Sequence, residues 1–281
     1  MLIINSILEM KALVKDIRQK GKTVGFVPTM GYLHEGHLTL MREAKKKTEF
    51  VVTSIFVNPL QFGVGEDYEE YPRDITRDSC MAREVGVDAV FAPTIREMYP
   101  NGYATFVEVE KLTDKLCGKS RPGHFRGVTT VVAKLFNIVQ PDIAFFGQKD
   151  AQQAAVLQQM AADLNMNLAI EVVPTVREVD GLAMSSRNTY LSREERKAAL
   201  VLSESLKAAG KLFASGERSP GVLKDEITGM INREPLARID YVEVCTLPGL
   251  EETERLEGKN LIALAVFIGS IRLIDNLIVE G

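Results

Sequence analysis

Short apolar runs alternate with longer segments of helical periodicity over the first two thirds of the chain. The apolar runs cover residues 23–27, 50–57, 88–92, 143–146 and 170–176. Apolar residues recur every three or four positions in residues 6–19, 34–47, 74–84, 127–139 and from 147 to about 164. Because strands that alternate with helices require crossover connections, this pattern predicts a parallel sheet with helices packed against it.

The last third of the chain has a different order of elements. Residues 192–213 and 220–231 have helical spacing, and strand-like runs follow at 239–245, 261–267 and 273–279. Ser192 and Glu195 have the spacing of a capping box, and the alternation in residues 105–110 predicts an edge strand. We therefore expect an α/β fold: a Rossmann-like parallel-sheet domain in residues 1–175 and a smaller α+β C-terminal lid domain in residues 176–281.

Composition and charge exclude several classes of protein. Of the 281 residues, 46% are hydrophobic and 26% charged, which is typical of a globular protein. The formal net charge of −4 disfavours a nucleic-acid partner. The three cysteines are widely spaced, the N-terminal residues lack a basic region, and the longest purely apolar run, residues 261–268, is far shorter than the roughly 20 residues of a membrane helix. We expect a cytoplasmic protein with no membrane partner.

The residues after the first predicted strand suggest an anion site. The strand ends at Pro28, a turn follows, and the next helix opens with the residues His34-Glu35-Gly36-His37. A helix N-terminus presents unpaired N–H groups and a partial positive charge, so it attracts phosphate. The two histidines are three residues apart and share one helix face. A zinc site is less favoured, because the protease pattern spaces its histidines four apart and no third ligand is evident.

Two other predicted strands also end in polar residues. Asn58 to Gln61 follow one strand, and Gly147 to Asp150 follow another, with Gln153 one helical turn further on. In an open parallel sheet, ligands bind at these carboxyl ends. Lys149 would supply a cation there, and Gln61 and Gln153 could bind a carboxylate or hydroxyls without adding charge.

Three further polar segments have open roles. The loop Met184-Ser185-Ser186-Arg187 places two hydroxyls and a guanidinium in a row, which suits a polyphosphate, although it could be a helix-capping loop. Residues 121–126 could be a second anion loop or a turn into the next helix, and residues 71–73 are similarly ambiguous.

These segments together resemble the pantoate–β-alanine ligase family, a branch of the nucleotidyltransferases with an HxGH motif. The shared segments are VPTMGYLHEGH, SIFVNPLQF, YPRD, SRPGHFRGV, KLFNIVQPDIAFFGQKDAQQ and DGLAMSSRN. Many nucleotidyltransferases share HxGH, whereas FVNPxQF and FGxKDxQQ are far more specific.

The resemblance implies a two-step ligation, in which ATP adenylates (R)-pantoate and the amine of β-alanine then displaces AMP. It implies catalytic roles for His37, His34 and Lys149, and substrate binding by Gln61, Gln153 and Asn58. The implied ATP-binding residues are Met30, Gly31, Tyr32, Leu33, His34, Glu35, Gly36, His37, Gly147, Gln148, Lys149, Asp150, Val176, Met184, Ser185, Ser186 and Arg187. It also implies Mg²⁺ that accompanies ATP, no protein-held metal, and a homodimer.

Three other interpretations are open at this point. A different nucleotidyltransferase would share the histidine motif but would need a cation where Gln61 and Gln153 stand. A nucleic-acid-binding module related to tRNA synthetases is opposed by the acidic balance of the chain. A metal-binding or scaffold protein would use His34 and His37 as ligands.

Overall fold

A six-stranded parallel sheet is the centre of the computed structural model, which describes residues 1–281. Its strands are Leu2–Ile4 (β1), Val24–Thr29 (β2), Phe50–Ile55 (β3), Ala89–Phe91 (β4), Ile143–Gly147 (β5) and Ala169–Val173 (β6). They lie in the order β1-β4-β3-β2-β5-β6, and every neighbouring pair is parallel. The predicted parallel sheet is thus confirmed, whereas the three-residue edge strand β1 was not predicted.

The helices of this part of the chain are Ile7–Gln19 (α1), Glu35–Lys47 (α2), Ile75–Glu84 (α3), Ile95–Met98 (α4), Leu116–Ser120 (α5), His124–Val139 (α6) and Ala151–Asp163 (α7). Of these, α1, α2, α6 and α7 pack directly against strands of the sheet. Helix α6 is buried along most of its length, with Val128, Leu135 and Phe136 in the largest hydrophobic core.

A three-stranded antiparallel sheet forms the C-terminal region. Its strands are Ala237–Thr246 (β7), Lys259–Ile268 (β8) and Ile271–Glu280 (β9), in the order β7-β8-β9, and its helices are Arg193–Ala198 (α8), Leu200–Ala214 (α9) and Pro220–Ile231 (α10). The Ser192–Glu195 capping box is confirmed, since each residue's side chain accepts from the other's backbone N–H. The single helix predicted for residues 192–213 is wrong, because the chain is divided at Ala199.

The predicted edge strand at residues 105–110 is also wrong. The segment is extended, but side chains of α6 take the place of a partner strand. The backbone N–H of Val107 donates to Thr130 Oγ1 at 3.0 Å, and its carbonyl accepts from Thr129 Oγ1 at 2.6 Å. A backbone satisfied in this way needs no sheet partner.

The two sheets share one hydrophobic core. Leu261 and Ala263 of β8 belong to the same buried cluster as Phe26 of β2 and Phe146 of β5. The division of the chain at residue 175 therefore stays a prediction, since the C-terminal sheet packs directly against the first domain. None of the helices is both long and apolar enough to cross a bilayer.

Candidate active site

The polar residues singled out in the sequence meet at the point where the strand order reverses. From β2 the chain proceeds through β3 to one side of the sheet, and from the adjacent β5 it proceeds to β6 on the other side. Ligands of open α/β sheets bind in the crevice at such a switch point, beyond the carboxyl ends of the strands. Residues 30–37 follow β2 and residues 148–150 follow β5, so both segments border this crevice.

The crevice contains a cavity at the carboxyl ends of these strands. Residues from the sequence prediction line it, and they are Met30, His34, Gly36, His37, Asn58, Gln61, Gly147, Lys149, Asp150, Gln153, Val176, Met184, Ser185, Ser186 and Arg187. A neighbouring cavity extends towards the C-terminal sheet and shares Gln61, Lys149 and Arg187 with the first. Because the two cavities share these residues, they adjoin, and a ligand in one would lie next to a ligand in the other.

A buried carboxylate fixes the turn that carries the histidines, residues 30–37, which we call the histidine turn. Gly31 and Tyr32 have φ angles of 88° and 49°, so the chain passes through left-handed conformations. The fully buried Asp78 of α3 accepts the N–H of Tyr32 at 2.6 Å and that of Leu33 at 2.8 Å. Arg77 donates to the Leu33 carbonyl at 2.8 Å. The turn is therefore shaped before any ligand binds.

The two imidazoles are stacked, with ring centroids 4.0 Å apart. The backbone N–H of His34 donates to His37 Nδ1 at 3.3 Å. A neutral imidazole whose Nδ1 accepts carries its proton on Nε2. Burial keeps the pKa of His37 well below its ordinary value, and repulsion from Lys149 and from His34 when that ring is protonated lowers it further. His37 is therefore a neutral ring with an Nε2–H donor at the edge of the cavity.

Gly36 makes the close approach of the rings possible. A Cβ at this position would lie 2.9 Å from both Nδ1 and Cε1 of the His34 ring. Burial and the charge of Lys149 lower the pKa of His34 to about 4, so this ring is neutral too. Its buried Nδ1 has no hydrogen-bond partner. No group of three or more His, Cys, Asp and Glu side chains is arranged to hold a metal ion.

Cations approach the cavity from two other loops. Lys149 is 19% exposed, and its Nζ lies 3.4 Å from Asp150 Oδ2. Arg187 forms a two-point ion pair with Asp67, at 2.9 Å from Nε and 2.7 Å from Nη2. Ser186 Oγ lies 3.0 Å from the buried hydroxyl of Tyr71. The guanidinium predicted to hold phosphate is therefore already paired with a carboxylate.

A second ion pair holds the segment that contains Asp67. This segment comprises residues 62–70, and we call it the acidic loop. Arg121 donates to both carboxylate oxygens of Glu66, at 2.6 and 2.5 Å. Burial alone would raise the pKa of Glu66, but the hydrogen bond and charge of Arg121 outweigh it and lower the pKa to about 2. His124 Nδ1 lies 2.8 Å from the Gln61 carbonyl, and burial lowers its pKa to about 4. The ambiguous segment at 121–126 thus contacts the site.

Asn58 is held by more hydrogen bonds than the two predicted glutamines, Gln61 and Gln153, and lies deeper in the structure. Asn58 is 1% exposed and fully engaged: its amide donates to Gly127 O at 3.0 Å and Gln61 Oε1 at 3.2 Å, and its Oδ1 accepts from Tyr99 at 2.8 Å. Gln61 lines both cavities, as does Gln153. The structure therefore places Asn58 behind Gln61, where it orients that side chain.

Five predicted ATP-binding residues do not line the cavity with their side chains. Leu33 is fully buried in the core, Glu35 pairs with Arg42 at the surface, and Gln148 donates to Asn276. Gly31 and Tyr32 form the strained part of the histidine turn. Any contact of these five with ATP depends on backbone groups or on the shape of the turn.

Comparisons with known proteins agree over the whole chain. A profile of the Pantoate-beta-alanine ligase family matches residues 2–278. The pantothenate synthetase of Pelotomaculum thermopropionicum is 63% identical over 278 residues, covering 99% of each chain. That of Heliobacterium modesticaldum is 61% identical over 280 residues, covering 100% of each.

Two solved structures have the same fold over nearly the whole chain. The pantothenate synthetase from Thermus thermophilus has a TM-score of 0.94 at 45% identity, covering 99% of each chain. The pantoate-β-alanine ligase from Francisella tularensis, solved in complex with β-γ ATP and β-alanine, has a TM-score of 0.81 at 33% identity, covering 99% of this chain and 97% of that chain. The parallel sheet and the C-terminal antiparallel sheet therefore both have counterparts in these enzymes.

Proposed function

The chain belongs to the pantoate–β-alanine ligase family, and from this premise we propose how its own residues carry out the ATP-dependent joining of pantoate to β-alanine. The product is pantothenate. In the first step a pantoate carboxylate oxygen bonds to the α-phosphorus of ATP, and the bond to pyrophosphate breaks. In the second step the amine of β-alanine attacks the carbonyl carbon of the adenylate, loses a proton, and expels AMP.

The histidine turn carries this proposal. His37 and His34 lie side by side at the N-terminus of α2, and both are uncharged. Their N–H groups would donate to phosphoryl oxygens on which negative charge increases in the transition state. A fixed donor in such a position typically contributes about 10²–10³ in rate. We assign the larger role to His37, because its hydrogen bond from His34 N fixes the proton on Nε2.

Cations from the other loops would complete the nucleotide site. Lys149 lines both cavities, so it can bridge the ATP phosphates and the pantoate carboxylate. Ser185, Ser186 and Arg187 would hold the phosphates as well, with Met184 and Val176 nearer the adenine. Arg187 uses Nε and Nη2 to bind Asp67, so its remaining N–H donors can bind a phosphate, which can also compete with Asp67 for the guanidinium.

The pantoate site would lie between the two glutamines and α6. Gln61 and Gln153 offer amides to the carboxylate and hydroxyls, and Asn58 holds Gln61 in place. The α6 side chains Val128 and Val131 line the same cavity and suit the two methyl groups of pantoate. A neutral, amide-lined wall favours this acid over a phosphate ester, which would need a cation here.

Mg²⁺ would enter with ATP and neutralise phosphate charge. The donor set fits that mode, since Asp150 is a single carboxylate in the cavity and Mg²⁺ is commonly held by one or two carboxylates plus phosphates. The three free cysteines support a reducing, cytoplasmic setting. The homodimer is also part of the proposal, and sedimentation of the purified protein tests it.

Isotope transfer tests the adenylate step. Pantoate labelled with heavy oxygen in its carboxylate should pass one labelled atom to AMP, and pyrophosphate release should require pantoate but not β-alanine. Release of pyrophosphate that ignores pantoate, or AMP without label, would contradict the proposal.

A further inference from the structure

The C-terminal sheet reaches the nucleotide loops through two consecutive residues of β9, Asp275 and Asn276. Side chains of successive strand residues point to opposite faces, so neighbours in β9 can contact two different loops. Both are almost fully buried, with exposures of 2% and 3%. Buried polar side chains in a strand need partners, and theirs lie about 100 to 130 residues away in sequence.

Asn276 holds the loop that carries Lys149. Its Nδ2 donates to the carbonyls of Gln148 and Lys149, both at 2.9 Å. Its Oδ1 accepts from Gln148 Nε2 at 3.2 Å. One side chain thus fixes two successive peptide groups at the end of β5, immediately before α7 begins.

Asp275 holds the loop that leads to Ser185 and Arg187. It binds Arg177 at two points, 2.6 Å to Nη1 and 3.0 Å to Nη2. Arg177 Nη1 also donates to the Gly181 carbonyl at 3.1 Å, and the Arg177 backbone pairs with Ala183 in a short bridge. The carboxylate therefore fixes the base of the hairpin from which the Met184–Arg187 segment continues.

We propose that Asn276, with Asp275 beside it, is a positioning residue that sets the separation between Lys149 and the Ser185–Arg187 loop. The proposal rests on the proposed ATP site. The C-terminal sheet then forms a wall of the nucleotide site that holds both loops at once. Misplacing a charged group by about 1 Å can cost on the order of 10² in rate.

The experiment compares Asn276→Ala with Asn260→Ala in the full-length protein. Asn260 is a matched control, because it is fully buried in β8 and its Nδ2 also donates to two carbonyls, those of Glu257 and Gly258, both at 3.1 Å. It lines neither cavity. Both variants should lower the melting temperature to a similar extent.

Only Asn276→Ala should change the adenylation step. We expect its KM for ATP to rise and its rate of pantoate-dependent pyrophosphate release to fall, each about tenfold or more, while the KM for β-alanine stays near that of the wild type. Asn276→Asp, which has the same size but cannot donate, provides a second variant should the alanine variant fail to fold. It should show the same selective loss.

Two results would overturn this inference. One is a folded Asn276 variant with the ATP kinetics of the wild type. The other is a loss no greater than that of Asn260→Ala. Neither result would affect the proposed function, whose failure would instead appear as a wild-type protein that releases no pyrophosphate with ATP and pantoate.

Discussion

The histidine turn and the acidic loop border the same cavity but are held in different ways. The turn at residues 30–37 is fixed by backbone N–H donors bound to Asp78, which is fully buried. The acidic loop at residues 62–70 is held by carboxylates that pair with Arg121 and Arg187, and these side chains remain 15–27% exposed. The first set of contacts is buried out of reach of a ligand, whereas Arg187 of the second set lines the cavity and its partner Asp67 is partly exposed.

This contrast separates two tasks of the site. The imidazoles are ready before ATP arrives, so no reorganisation of the turn is needed at the moment of reaction. The guanidiniums are neutralised by the protein's own carboxylates until a phosphate competes for them. Exchange of Asp67 for a phosphate would break one of the two ion pairs that hold the acidic loop and leave the pair of Glu66 with Arg121.

Removing the preformed donor should have the largest effect. We expect His37→Ala to lower kcat by about 10²–10³, with a change in melting temperature much smaller than that of a core truncation. His37→Gln retains an amide donor and should recover part of the loss. Steady-state kinetics beside thermal unfolding measures both. An equal loss of activity and stability would show that the ring is structural.

Loosening the turn should have the next largest effect. Asp78→Asn places an NH₂ against a backbone N–H, so we expect a loss of roughly 1–3 kcal/mol in the free energy of unfolding and about tenfold or more in kcat as the rings move. Asp74→Asn is the matched control, since Asp74 caps the same helix by accepting from Arg77 N at 2.9 Å. Because Asn caps a helix about as well as Asp, this variant should leave both the free energy of unfolding and kcat near those of the wild type. Similar kinetics for both variants would refute the role of Asp78.

Removal of the carboxylate that pairs with Arg187 should have a smaller effect, and it should improve ATP binding instead of weakening the enzyme. Asp67→Asn removes the competitor of the phosphate, and a pair worth about 0.5–1 kcal/mol corresponds to a two- to fivefold lower KM for ATP. The exposed Glu69 of the same loop is the control, and Glu69→Gln should change nothing. A higher KM for ATP in Asp67→Asn would contradict this expectation, because it would show that the ion pair is needed to form the nucleotide site.

The pH dependence of stability provides a separate test of the buried, neutral rings. Burial lowers the pKa of both His34 and His124 to about 4 from an ordinary 6.5. The unfolded chain therefore binds protons first as the pH falls. The stability these rings contribute is complete above pH 6.5 and is lost between about 6.5 and 4, with a slope of at most about 1.4 kcal/mol per pH unit for each ring. Urea unfolding across this range measures it, and His124→Asn should reduce the slope. An unchanged slope would contradict the depressed pKa of His124.

The sequence was most informative where one local pattern determined both structure and chemistry. The position of the two imidazole rings could be predicted from the order of a strand, a turn and the residues His34 to His37. The start of the helix and the spacing of the histidines are both local features of the sequence. The location of Lys149 at a neighbouring strand end followed from the parallel sheet. The role of Gly36, by contrast, could be recognised only in the structure, because this residue leaves room for the ring of His34.

The partners of these groups could not be predicted, because they are distant in sequence and ordinary in composition. Asp78 is one of several acidic residues in an amphipathic helix, and its burial is the only sign of its role. The pairing of Asp67 with Arg187 spans 120 residues. Residues 105–110 alternate as a strand does, yet threonines of α6 take the hydrogen bonds of Val107. Long-range contacts of this kind leave no local pattern.

Nitrogen–proton correlation spectra of the histidine rings test the central claim most directly. The chain has only three histidines, so His34→Asn and His124→Asn variants assign the signals. We predict that at neutral pH, without ATP, His37 is a neutral ring with its proton on Nε2, and that it stays so well below pH 6.5. A charged ring, or a proton on Nδ1, would contradict the preformed donor.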